Sequence, residues 1–273
     1  MAKRQENPVY VGIDLNRPRS FSSLTLFEQC PRAFMFSYCM APAIPTQDNA
    51  HAQYGHLAHT LLEEWARDEM LDADLAPEWE KRYRTIVTLP FPKSTAELED
   101  RLYQAGLSYF SQFHGFGDEW DVLSVEERFH SRIDGFLFTG IADLLLRHRD
   151  TGRLMAVDHK SKSAASMKRD LNKCYKQLYL YCGMVREKYG EYPSVLSINA
   201  FRCGELYSTP FCLEEHRRTT DWATDVAAQI LVESEFPRRE EWYFCSFICS
   251  HRAFCRKDIA KNGVDGRPFG IDV

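Results

Sequence analysis

The chain has 273 residues, 44% of them hydrophobic and 27% charged, and carries a net charge of −5 at pH 7. That is the composition of a globular protein long enough to bury a substantial core without staples. The negative total argues against coating of nucleic acid by the whole surface but leaves room for a local basic channel.

No apolar run approaches ~18 residues and residues 1–30 lack a signal-peptide pattern, so the location expected is cytoplasmic. Nine cysteines in such a chain point to a metal site rather than to disulfides.

Residues 1–19 are polar and aperiodic and are expected to form a flexible lead, with a single domain over 20–273. Ser20, Ser22 and Ser23 offer helix-capping hydroxyls before Leu24 and Phe27. The first helix should end near Cys30-Pro31 and helix should resume through Tyr38. Residues 51–71 carry strong helix formers, with His59 and Glu63 four apart and hence on one face. A helical insertion is expected over 60–116, broken at Pro90-Phe91-Pro92 and resumed from about Thr95 to Phe113.

From Val122 the apolar period changes to two. Val122–His130, Ile133–Phe138, Gly140–Arg147 and Leu154–His159 read as a four-strand meander, with turns at 131–132, 139–140 and 150–152. Glu126 and Glu127 lie in the first of these strands. Either is a candidate for the site below, although a solvated edge position is the plainer expectation. The last two strands form a hairpin in which each apolar run carries one acid, Asp143 and Asp158, and Lys160 stands two residues after the second. A carboxylate in an apolar run is costly to bury unless a cation pairs with it. Two of them on neighbouring strands make a small site for a divalent cation, the physical core of a metal-dependent phosphodiesterase.

Six bases over 159–176 face a single acid, Asp170, where they would supply phosphate contacts. A helix over about Met167–Tyr189 places Gln177 and Tyr181 on one face. Strands over 195–201 and 205–211 and a helix over 213–234 follow. The segment 236–273 holds Cys245, Cys249 and Cys255 at C-x3-C-x5-C spacing. Zinc or an iron–sulfur cluster would need a fourth ligand, either His251 or a distant cysteine, for which Cys30 is the natural candidate. Cys39, Cys174, Cys182, Cys203 and Cys212 are expected to be buried thiols.

Taken in chain order, the set resembles the RecB-like, iron–sulfur branch of the PD-(D/E)XK nucleases, which includes the AddB nuclease domain and CRISPR-associated RecB-like exonucleases with their phage relatives. The matching pieces are Ser22-Ser23-x3-Phe27-x2-Cys30-Pro31, Gly55-x3-His59-x3-Glu63, Gly140-Ile141-Ala142-Asp143, Asp158-His159-Lys160, Gln177-x3-Tyr181 and the cysteine tail. The resemblance implies an α/β fold: a restriction-endonuclease-like core with a mixed central sheet flanked by helices, a helical insertion and a C-terminal iron–sulfur segment. It implies His59, Asp143, Asp158 and the His159 carbonyl as ligands of a catalytic Mg2+ or Mn2+, with Lys160 as the catalytic lysine and Gln177 and Tyr181 supporting the site. It further implies a [4Fe-4S] cluster on Cys30, Cys245, Cys249 and Cys255. The activity implied is that of a DNA exonuclease on single strands or ends. Partners would be DNA and, in the absence of an ATP-motor motif, a helicase or a recombination or CRISPR-adaptation protein. The alternative is a non-catalytic DNA-binding or assembly subunit that keeps the fold.

Overall fold

The computed structural model describes residues 8–91 and 96–263. The first seven residues of the expected lead, Pro92 and Thr95 of the insertion, and residues 264–273 of the C-terminal segment lie outside it. The chain folds as two compact units. One holds the described residues up to Asp48, Arg132–Phe138 and those from Asp221 onward; the other holds Asn49–Ser131 and Thr139–Thr220.

The first unit begins inside the expected lead. Strand β1 (Val9–Tyr10) pairs antiparallel with β2 (Met40–Ala41). Arg19 is buried, and its backbone N–H donates to the Leu137 carbonyl at 2.8 Å. Pairing and burial therefore order part of a stretch that shows no periodicity, because two residues are too few to display one. Helix α1 (Phe21–Gln29) opens on a capping box in which Ser20 and Ser23 each satisfy the other's backbone N–H. Helix α2 (Pro31–Tyr38) starts at once, with proline at its first position, where no N–H is needed. Cys30 is the extended hinge residue between the two (φ −162°). A short π-helical turn, Phe244–Ile248, and a helix over Arg252–Asn262 lie in the described part of the C-terminal segment. There the buried Asp258 carboxylate takes both Arg32 (3.3 Å) and Arg238.

In the second unit, α3 (Ala50–Ala66), α4 (Asp72–Ile86) and α5 (Ala96–Gln112) pack around an aromatic cluster of Tyr54, Trp79, Tyr83, Phe110 and Phe201. The sheet runs β3-β4-β5-β6-β7, with β3 (Trp120–Ile133), β4 (Phe136–His148), β5 (Leu154–His159), β6 (Val195–Ala200) and β7 (Glu205–Pro210). It is mixed: β5 runs antiparallel to β4 and parallel to β6, and β6 runs antiparallel to β7. The parallel pair is joined through α6 (Ala164–Tyr189), as parallel strands require. Every residue of β5 is buried, which fits its continuous apolar run.

The four-strand meander is corrected to three strands. Asp134 and Gly135 both take positive φ (48° and 85°) and form the two-residue turn, the Asp-Gly hairpin signal. Thr139 and Gly140 lie within β4 rather than in a turn. A further helix, α7, spans Leu213–Val232, and the Arg252–Asn262 helix is α8.

Candidate active site

The strand ladder creates the first part of the site. Strands β4 and β5 pair as far as Leu144 and Val157. One residue on, the Asp143 Oδ2 accepts the backbone N–H of His159 at 2.7 Å. A side chain thus replaces the missing ladder bond, fixing the Asp143 carboxylate at the end of β5. From α3, the His59 Nε2 donates to the His159 carbonyl at 3.1 Å. With that proton on Nε2, Nδ1 is left as a lone-pair donor, 3.7 Å from the Asp143 Oδ2. Burial keeps the imidazole pKa below its ordinary value, only partly opposed by Asp143, so the ring is neutral, as a metal ligand must be.

The third donor comes from β3. Nitrogen or carboxylate oxygen atoms of His59, Glu126 and Asp143 all lie within 4.8 Å of one another. Glu126 is therefore not a solvated edge residue. Its φ of 48° is left-handed inside a strand, the mark of a bulge that re-aims a side chain. The neighbouring Glu127 is engaged elsewhere: it pairs with Lys188 and accepts from the Tyr189 hydroxyl at 2.6 Å. The signal for Glu126 was the adjacent pair of glutamates in an alternating strand, which must face opposite ways.

Asp158 stands apart from that trio. It is 2% exposed, and its Oδ2 lies 2.6 Å from the Lys160 Nζ, an ion pair by distance without hydrogen-bond geometry at that oxygen. Burial pushes the Asp158 carboxyl up, against the pull of Lys160, while Asp143 raises it further. Burial works against the Lys160 ammonium as well, but Asp158 and Asp143 outweigh it and hold it protonated. Lys160 also donates to the Gln177 Oε1 (3.0 Å), and the Gln177 Nε2 donates to the Tyr181 hydroxyl (3.3 Å). The Tyr181 ring lies against Gly140, where a Cβ would sit 2.4 Å from its Cε1. The buried His159 ring packs edge-on against the His59 ring (centroids 5.5 Å apart), burial depresses its pKa to about 3, and the Asn199 Nδ2 donates to its Nδ1 (3.1 Å).

The donor set fits a hard divalent cation. Burial raises the Glu126 carboxyl to about 7, and Asp143 and Glu63 push it the same way. Crowded carboxylates, opposed at Glu126 only by Arg67 and at Asp158 by Lys160, leave an electronegative pocket that a divalent ion would neutralise. Two carboxylates and one imidazole suit Mg2+ or Mn2+, the nitrogen favouring Mn2+. In the basic stretch that follows, Lys162 and Arg169 are taken up by Asp170 (2.6 and 3.0 Å), whereas Lys168 and Lys173 on α6 are exposed.

In the other unit, Cys30, Cys245, Cys249 and Cys255 line one cavity of about 420 Å3. Burial raises the Cys249 thiol to about 11, and the three other thiols add to the effect. Burial likewise raises Cys255, opposed by Arg238. Four soft sulfur donors in one cavity suit iron–sulfur or zinc chemistry. His251, the alternative ligand, is buried, with its Nε2 2.8 Å from the Ser37 hydroxyl. Of the other cysteines, Cys39, Cys174 and Cys182 are buried, but Cys203 is only half-buried and Cys212 is exposed. Cys212 falls in the loop leading to α7, outside the apolar layers that bury a thiol.

No helix among the described residues is long and apolar enough to cross a membrane. No curated protein matches the chain. A family model of the PD-(D/E)XK nuclease superfamily matches residues 18–256, a span that holds both the acid–lysine site and the four cysteines. The chain belongs to the PD-(D/E)XK nuclease superfamily.

Proposed function

We propose that the protein is a Mg2+- or Mn2+-dependent deoxyribonuclease of the RecB-like, iron–sulfur branch, acting as an exonuclease on single-stranded DNA or DNA ends in the cytoplasm. The observation that supports this most is the convergence of His59, Glu126 and Asp143 beside the Lys160–Asp158 pair. Of the ligands that the resemblance implies, His59 and Asp143 would hold the ion together with Glu126, while the His159 carbonyl, bonded to the His59 Nε2–H, and Asp158, paired with Lys160, would position those two side chains.

A bound divalent ion would supply Lewis-acid polarisation of the attacked phosphate and activation of a water. The chain's own groups do the rest. Lys160, protonated and steered by Asp158 and Gln177, places a fixed positive charge where the phosphate becomes more negative, so it stabilises the transition state more than the ground state. Gln177 and Tyr181 hold the ammonium in place. The His159 carbonyl fixes the tautomer of His59 through Nε2, the arrangement that orients a metal-ligating histidine. The four cysteines would hold a [4Fe-4S] cluster remote from these ligands in the chain, as a structural staple. Because the chain carries no recognisable ATP-motor motif, action on long duplexes would require a helicase or a recombination or CRISPR-adaptation partner.

End-labelled single- and double-stranded DNA incubated with Mn2+ or Mg2+ tests the reading. Lys160→Ala and Asp143→Ala should each slow cleavage by about 100-fold or more. Glu126→Gln should raise the Mn2+ concentration needed for half-maximal cleavage by about tenfold, and Glu127→Gln should not. Wild-type rates in the first two variants would sink the site. DNA binding with no metal-dependent cleavage by the wild type would favour the non-catalytic subunit instead.

A further inference from the structure

The C-terminal segment carries a surface that the phosphodiester site does not use. Trp242 is 61% and Tyr243 41% exposed, unusual for such large rings side by side. With the half-buried Phe247 they form a three-ring patch, the centroids 5.3 to 6.4 Å apart. Trp242 borders the same cavity mouth as Arg239, Arg252 and Arg256.

These arginines are held but not neutralised. Arg239 donates to the Glu28 carbonyl, and Arg252 to the carbonyls of Cys249 (3.1 Å) and Asp48 (3.3 Å). Arg256 is exposed on α8. Among the described residues, none of the three makes an ion pair with a carboxylate. Of the two acids in the same stretch, Glu241 is engaged locally, accepting the backbone N–H groups of Tyr243 (3.1 Å) and Phe244 (2.6 Å). Glu240 is left facing solvent. The patch is thus locally cationic on a chain whose net charge is −5.

Exposed rings interleaved with guanidiniums match one chemistry closely. Bases stack on aromatic faces without regard to sequence, and a cationic rim follows the phosphates. A paired duplex hides its base faces, so the rings select a single strand. We propose that Trp242, Tyr243 and Phe247, with Arg239, Arg252 and Arg256, form a stacking site for single-stranded DNA. The choice of DNA rests on the nuclease reading; the stacking and the charge do not.

Binding of a labelled oligothymidylate to the full-length protein, followed by fluorescence anisotropy in EDTA at several salt concentrations, separates this proposal from cleavage. Trp242→Ala should weaken binding about 5-fold or more, and the Trp242→Ala/Tyr243→Ala pair by tenfold or more. Trp242→Phe, which keeps a ring, should retain most of the affinity at unchanged iron content. Arg239→Gln and Arg256→Gln should each lower the slope of log affinity against log salt by about one. An abasic oligonucleotide of equal length should bind the wild type as weakly as oligothymidylate binds the double variant. Equal binding of abasic and thymidine strands would overturn the proposal, as would wild-type affinity in the double variant or equal losses with Phe and Ala at position 242. So would failure of the wild type to bind at low salt, or a preference for duplex. Cleavage in Mn2+ reports on the Lys160 site separately: a wild type that binds in EDTA but does not cut keeps the patch and loses the nuclease.

Discussion

At the scale of single residues, the site depends on an atom that is missing. Gly140 sits inside β4, where glycine ordinarily weakens a strand. Its absent Cβ is what lets the buried Tyr181 ring approach. Tyr181 holds Gln177, and Gln177 holds Lys160, so the glycine in effect positions the ammonium. Gly140→Ala should cost about 1–3 kcal/mol through overpacking and slow cleavage per folded molecule, because the displaced ring takes Gln177 with it. Denaturant midpoints and cleavage rates measured together check this. An alanine variant as stable and as fast as the wild type would mean that the ring gives way freely.

Elements show where the sequence could be read and where it could not. The α3 histidine, the two hairpin acids, the lysine and the α6 Gln–Tyr pair carry their spacing on their face, and the fold brings them to one end of β5. Glu126 was harder, since which of two adjacent glutamates turns inward depends on a bulge at φ 48°, a tertiary property. The Asp134-Gly135 turn was legible in principle, but the apolar run Phe136–Phe138 imitates an independent strand when read alone. Helix α5 gives a sharper conflict between local preference and packing. Gly106 lies in its middle, and propensity alone says that alanine there should stabilise by about 1 kcal/mol. Yet a Cβ would lie 2.1 Å from the Trp79 Cζ2, and Trp79 is fully buried against Tyr54 and Phe110. Overpacking should win: Gly106→Ala should lower stability by about 1–3 kcal/mol and leave cleavage per folded molecule unchanged. A stabilised variant would show that the indole has room to move.

On the scale of the molecule, the chain divides into an acid–lysine unit and a unit assembled from the described stretches up to Asp48 and from Asp221 onward, together with Arg132–Phe138. The second unit joins α1 and α2 to residues more than two hundred positions later mainly through side chains: the buried Arg32–Asp258–Arg238 cluster, Arg32 Nε donating to the Phe236 carbonyl (2.7 Å), the Ser37 hydroxyl against His251 (2.8 Å), the Arg239 contact to the Glu28 carbonyl and the ring pair Phe36–Phe254 at 5.0 Å. Among the described residues no strand pairing connects the two segments, so a group bound by Cys30 together with Cys245, Cys249 and Cys255 would act as a cross-link over about 215 residues. Closure entropy puts the upper bound for such a link at ~5 kcal/mol. Removing such a group, or changing Cys30 or Cys249 to Ser, should therefore lower the melting temperature of this unit by about 10 °C and open 236–251 to proteolysis. Calorimetry on anaerobically purified protein, with metal analysis of the same samples, checks the expectation. Zinc in place of iron would keep the staple and replace its chemistry. Unchanged melting in metal-free serine variants would show that the arginine–aspartate cluster holds the two ends together unaided.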